Sequence, residues 1–120
     1  MDKHLSGCFR HIKAILKEFI DCSKDFLIEI KASDRTPELP AKIVALMERY
    51  GITESSMIHS GSYPSLKAVK EINPNISCGF IIAVSTGGYA DLPYADFFSV
   101  EHSYITENMI SQIHNRGKQV

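Results

Sequence analysis

The sequence has no long apolar run, no surplus of either charge and no cysteine framework, and each absence removes a class of protein. Its longest apolar stretch, Phe80 to Val84, falls far short of the roughly 20 residues that cross a bilayer. Behind Lys3 and His4, the charges of Lys13, Lys17 and Glu18 interrupt any apolar core, so no secretory signal reads there. Thirteen basic against 14 acidic side chains leave a formal net charge of −1, which gives no phosphate-neutralising excess and argues against nucleic acid as a partner. The three cysteines, Cys8, Cys22 and Cys78, are odd in number and have no CxxC partner or histidine at zinc-site spacing; they read as free thiols. There is no nucleophile elbow, P-loop, dinucleotide fingerprint or HExxH. What is present is 120 residues, 44% hydrophobic and 22% charged, enough for a single domain over residues 1–120 with a core of its own.

Hydrophobic period orders the chain. Phe9, Ile12, Ile15, Leu16, Phe19 and Ile20 make a helical stripe as far as Cys22. Phe26 to Ile30 is a short apolar run that reads as a buried strand. A helix should follow, with Thr36 as N-cap, Pro37 at its first position and Gly51 as its left-handed stop. The cycle then repeats. Met57-Ile58-His59 is a strand, and Pro64 opens a helix that Asn73-Pro74-Asn75 breaks. Ile76 to Val84 is the next strand and Phe97 to Val100 a fourth, while the link between them carries no helical pattern. Thr106 caps a last helix closed by Asn115-Arg116-Gly117, and Lys118 to Val120 read as the first residues of another strand. Strands alternating with helices over short connections give an α/β fold: parallel strands with helical crossovers. The order fits either a small doubly wound sheet or part of a (β/α)8 barrel, which when complete needs about 250 residues. A first helix with no strand before it, and a last strand only begun, favour a partial (β/α)8 barrel, about half of one.

Strand ends carry the candidate chemistry, because parallel α/β folds place their sites at the carboxyl ends of the strands. Glu29 stands near the end of an otherwise apolar strand. Buried and unpaired, it would cost several kcal/mol, so it needs a metal, a cation or a catalytic task. Lys31 lies on the same side of the strand, and a plain Glu29–Lys31 ion pair is the alternative. His59 and Ser60 occupy the equivalent strand end one unit later. There a histidine binds phosphate or moves a proton, or is a hydrogen-bonded rim residue. Ser60-Gly61-Ser62 has the composition of a small anion-binding turn before a helix. Glu101 and His102 follow the fourth strand, divided between site and surface. His4, His11 and His114 read as solvated.

These residues resemble the glycerophosphodiester phosphodiesterase family. The likeness is carried in order by Leu27-Ile28-Glu29-Ile30-Lys31, Pro37-Glu38-Leu39, Tyr50-Gly51, Ile58-His59-Ser60 and the helix Ser65 to Pro74. It continues through Ala95 to Val100 and Ile113 to Val120, after which family members run on into a strand ending Trp-Thr-Val-Asn. The resemblance implies a (β/α)8 barrel that cuts a glycerophosphodiester into glycerol 3-phosphate and an alcohol. In such barrels a divalent metal, Mg²⁺ or Ca²⁺, sits on three carboxylates, and two histidines act as general acid and base. By position Glu29 matches the third carboxylate ligand and Lys31 a cation facing the phosphate. That makes Glu29 and Lys31 the catalytic candidates, Glu29 the metal ligand, and Lys31, His59 and Ser60 the substrate-binding set.

The family's His-Arg-Gly, Glu-x-Asp and His-Asp motifs lie upstream of the matching region and do not occur in Met1 to Ile12. Gly61 also departs from the pattern, since many relatives carry phenylalanine there. The sequence therefore reads as the second half of such a barrel, inactive alone, with metal binding weak or absent. The alternative is a non-catalytic half barrel that binds phosphoesters or self-associates into a homo-oligomer through exposed strand edges. The stretch from Ala90 to Thr106 resembles relatives with membrane-spanning N-terminal regions. The location expected is cytoplasmic, or the soluble part of a membrane-tethered parent.

Overall fold

A computed structural model describes residues 25–31, 37–82 and 89–120. The expected helix from Phe9 to Cys22 and the expected loop from Ser33 to Thr36, with the expected N-cap Thr36, lie outside these residues.

Four strands, β1 (Leu27–Glu29), β2 (Met57–Ser60), β3 (Ser77–Ile82) and β4 (Phe97–Val100), form one parallel sheet. Their spatial order, β1-β2-β3-β4, is the order of the chain. Gln119 adds a parallel bridge to Phe97, with the Phe98 amide donating to the Gln119 carbonyl at 2.9 Å, so the onset of a fifth strand lies beyond β4. A sheet that never doubles back is the run of a barrel wall and not a doubly wound domain. Among the described residues this wall stays open.

Helices α1 (Leu39–Arg49) and α2 (Tyr63–Ile72) cross over from β1 to β2 and from β2 to β3. The start of α1 differs from expectation. Glu38 is the N-cap, without a side-chain cap bond, and Pro40 occupies the first turn in place of Pro37. Either proline fits there, because the amide that proline lacks has no partner inside a first turn. Gly51 ends α1 at φ +65°, a left-handed conformation that costs a residue with a Cβ. In the described part of the β3–β4 link, residues 89–96, the chain makes a 3₁₀ turn, Tyr89–Asp91. Contacts from β4, α2, Arg116 and Lys118 hold it. The Tyr89 ring packs edge-on to Phe98 at 5.9 Å, and the Tyr94 amide donates to the Tyr63 hydroxyl at 3.0 Å. Helix α3 (Glu107–His114) begins at Thr106, whose Oγ1 accepts from the Met109 amide at 3.1 Å.

Strand alternation decides which residues stay wet. Ile30, Ile58, Cys78 and Phe98 face the helices and are buried with Ile43, Val44, Met47, Leu66 and Val69, or with Met109 and Ile113. The opposite, concave face carries Leu27, Glu29, Met57, His59, Gly79, Phe97 and Ser99. Opposite the mouth, at the amino ends of the strands, Asp96 Oδ2 accepts from the Cys78 amide at 2.9 Å and pairs with Lys70 Nζ at 2.5 Å. That end of the wall is tied by structural contacts.

Candidate functional site

Glu29, Ile30, Lys31 and the turn Ser60-Gly61-Ser62 line one small pocket of about 290 Å³ at the carboxyl ends of β1 and β2. The structure therefore gathers three of the four expected site residues at one mouth. It also corrects the reason given for one of them. Glu29 is exposed, as is Lys31, and Leu27 on the same face is 53% exposed, whereas Ile30 toward the helices is 2% exposed. The run Phe26 to Ile30 is buried on one face only, because among the described residues nothing covers the concave side of β1. Solvent is then the immediate partner of the Glu29 carboxylate, and no desolvation cost demands a counter-charge. The plain ion pair is absent too: among the described residues no salt bridge joins Glu29 to Lys31.

Ser60 serves the pocket from beneath. It is fully buried on the helix side; its Oγ donates to the Ile30 carbonyl at 2.7 Å and accepts from the Ser62 amide at 3.0 Å. One hydroxyl thus fastens the end of β1 to the turn that enters α2. Two bonds use its proton and one lone pair, which leaves the turn and not the hydroxyl to face a ligand. Ser65 Oγ donates to Ser62 Oγ at 3.1 Å, closing the turn against α2.

His59, the fourth expected residue, is the backbone partner of Glu29 in the β1–β2 ladder and lies on the concave face. It lines a second, larger recess of about 720 Å³ together with Ile81, Phe97, Ser99, Glu101, Ile105 and others. Its Nδ1 lies 3.0 Å from Ser99 Oγ, across the full width of β3. The register is His59↔Gly79↔Phe97, so Ser99 sits two strands over and two residues further on. A barrel of eight strands and shear 8 climbs about one residue per strand, which brings these two side chains to one height. The contact is a barrel layer seen in part, built from alternate strands. Between them Gly79 has no side chain, and the Phe97 ring lies over it; a Cβ there would meet Phe97 Cε2 at 2.1 Å. Ser99 escaped the sequence reading, because only the interstrand register, not any local pattern, brings it to His59.

Glu101 borders the recess, and its Oε1 lies 3.0 Å from His102 Nδ1, while the His102 side chain is almost wholly in solvent. His114 is exposed at the end of α3. His4, His11, Cys8 and Cys22 lie outside the described residues. Cys78 is buried, and that burial pushes its thiol up to about 11, with smaller opposing effects of Lys70 and Asp96. Such a thiol is inert packing. Among the described residues no helix is long and apolar enough to cross a membrane.

No family model and no curated protein sequence matches the chain. Solved structures do. One is described as a glycerophosphoryl diester phosphodiesterase from Silicibacter pomeroyi; it superimposes with a TM-score of 0.67 at 15% identity, over 77% of this chain and 37% of that one. Another is described as a glycerophosphodiester phosphodiesterase from Galdieria sulphuraria, with a TM-score of 0.69 at 16% identity, over 95% of this chain and 47% of that one. The chain spans less than half the length of either and has the fold of part of their barrel.

Proposed function

We propose that this chain forms the later part of a glycerophosphodiester phosphodiesterase barrel and contributes the phosphoester-facing side of its site. The observation that carries the reading is the pocket at the ends of β1 and β2, where a carboxylate, a lysine and a serine-glycine turn meet on the fold of such enzymes. Lys31 supplies the positive charge for phosphate oxygens, and the turn ahead of α2 lies beside it, its Ser62 amide engaged by Ser60 Oγ. Ser60 holds that turn in place. Gly61 has nothing within 4 Å of where its Cβ would stand, so this wall of the pocket is open to a bulky alcohol group.

Glu29 is the proposed metal ligand, and the fit to a divalent ion is incomplete. Among the described residues no three His, Cys, Asp or Glu side chains gather at one place, whereas Mg²⁺ and Ca²⁺ take about six or more oxygens. Glu29 would be one ligand of an ion completed by residues outside this set. The described residues alone then make a phosphoester-binding surface and not a complete catalytic site. The test is hydrolysis of glycerophosphocholine with Mg²⁺ or Ca²⁺, run beside Glu29→Ala. Folded wild-type protein should give no turnover, and turnover that Glu29→Ala abolishes would show a complete site instead.

A second reading, self-association, draws on the uncovered concave face. Leu27 and Met57 stand there in adjacent register, both exposed, with β1 at the edge of the sheet among the described residues. Two copies pairing at their edges would cover these side chains. Light scattering should then report a dimer, and a monomer at all concentrations would exclude it.

A further inference from the structure

We infer that Ser99 is a positioning residue, which fixes His59 so that its Nε2–H donates to a phosphate oxygen at the barrel mouth. The inference rests on the phosphoester reading above and assigns His59 a definite role within it. Three observations converge. First, Ser99 Oγ and His59 Nδ1 are 3.0 Å apart on the concave face, so one ring nitrogen is already engaged. Second, among the described residues Ser99 Oγ has no other acceptor for its proton and His59 Nε2 has no partner at all. If the hydroxyl donates to Nδ1, the ring keeps its hydrogen on Nε2, where an acceptor can take it. In the opposite sense, with Nδ1–H donating, Nε2 would hold a lone pair, which a phosphate oxygen cannot meet. Third, His59 is the ladder partner of Glu29, and Lys31 lies two residues beyond Glu29, so the recess that His59 lines adjoins the small pocket.

The chemistry of the ligand selects the same tautomer. Phosphate oxygens accept and do not donate, so a ring nitrogen facing them must carry hydrogen. Ser99 works through the ring and does not itself meet the ligand. Its reach depends on Gly79, because any side chain there would displace the Phe97 ring beside the His59–Ser99 bond.

Inorganic phosphate, titrated against the amide resonances of Gly61 and Ser62, is the probe; an imidazole ¹H–¹⁵N correlation in alkaline buffer reports the His59 tautomer. Wild type should show Nε2–H and bind phosphate. Ser99→Ala should weaken binding several-fold. His59→Gln, whose amide nitrogen overlays Nε2, should stay near wild type, while His59→Asn, whose amide nitrogen overlays Nδ1, should lose about tenfold, as for a charge-assisted hydrogen bond. An Nδ1–H tautomer, unchanged affinity in Ser99→Ala, or equal affinity of the Gln and Asn variants each overturns the inference. Lys31→Ala separates the two levels. Binding lost there but intact in the Ser99 and His59 variants leaves the phosphoester reading standing and removes this one, and no phosphate binding by wild type removes both.

Discussion

Replacing Gly79 by alanine should destabilise the chain through a single contact. An added Cβ would stand 2.1 Å from Phe97 Cε2, 2.3 Å from Cζ and 2.6 Å from Cδ2, all far inside van der Waals contact. The ring must retreat by more than an ångström, and Phe97 is itself 9% exposed on the neighbouring strand. Glycine to alanine inside regular structure ordinarily gains about 0.5–1 kcal/mol, and overpacking of this kind costs about 1–3 kcal/mol, so a net loss of about 1–2 kcal/mol is expected. Urea unfolding followed by circular dichroism measures it. The same substitution in a Phe97→Ala background removes the clash and should be neutral or stabilising, which makes the coupling between the two positions the quantity of interest. A cost that is equal in both backgrounds, or absent in the first, would refute the placement of the ring over Gly79.

Ser60→Ala should cost about 1–3 kcal/mol in the same assay, because it strips the Ile30 carbonyl and the Ser62 amide of a buried partner; Ser60→Thr, which keeps the hydroxyl, should cost less. Gly51→Ala should lose about 1 kcal/mol at its φ of +65°, while Gly61→Ala, with open space around it and no positive φ, should leave stability unchanged. Cys78 should resist thiol reagents until the chain unfolds. Burial raises its thiol from 9.0 to about 11, so the unfolded chain ionises first; the associated stability is whole below about pH 9 and is lost as pH rises toward 11, as denaturation series at several alkaline pH values should show.

Local punctuation made much of the fold legible from sequence. Gly51, Asn73-Pro74 and Thr106 act through their own backbone or side chain within one turn, so they stop, break and start helices wherever the rest of the chain lies. Phe26 to Ile30 was harder. Five residues with one carboxylate fit a strand buried on both faces as well as one buried on a single face, and only the uncovered concave side decides that Glu29 is wet. Two prolines within four residues likewise satisfy the first turn of α1 equally well. Among the candidate site residues, Glu29, Lys31, His59 and Ser60 were legible as lying at strand ends. Ser99 and Gly79 were not, since their meaning comes from the climb of register across three strands.

The most direct test of the account is a titration of the intact chain with glycerol 3-phosphate, followed by amide shifts. The account predicts changes focused on Lys31, Gly61 and Ser62, saturable and lost in Lys31→Ala. Shifts scattered over the surface, or the same shifts in Lys31→Ala, would contradict a phosphoester site at the ends of β1 and β2.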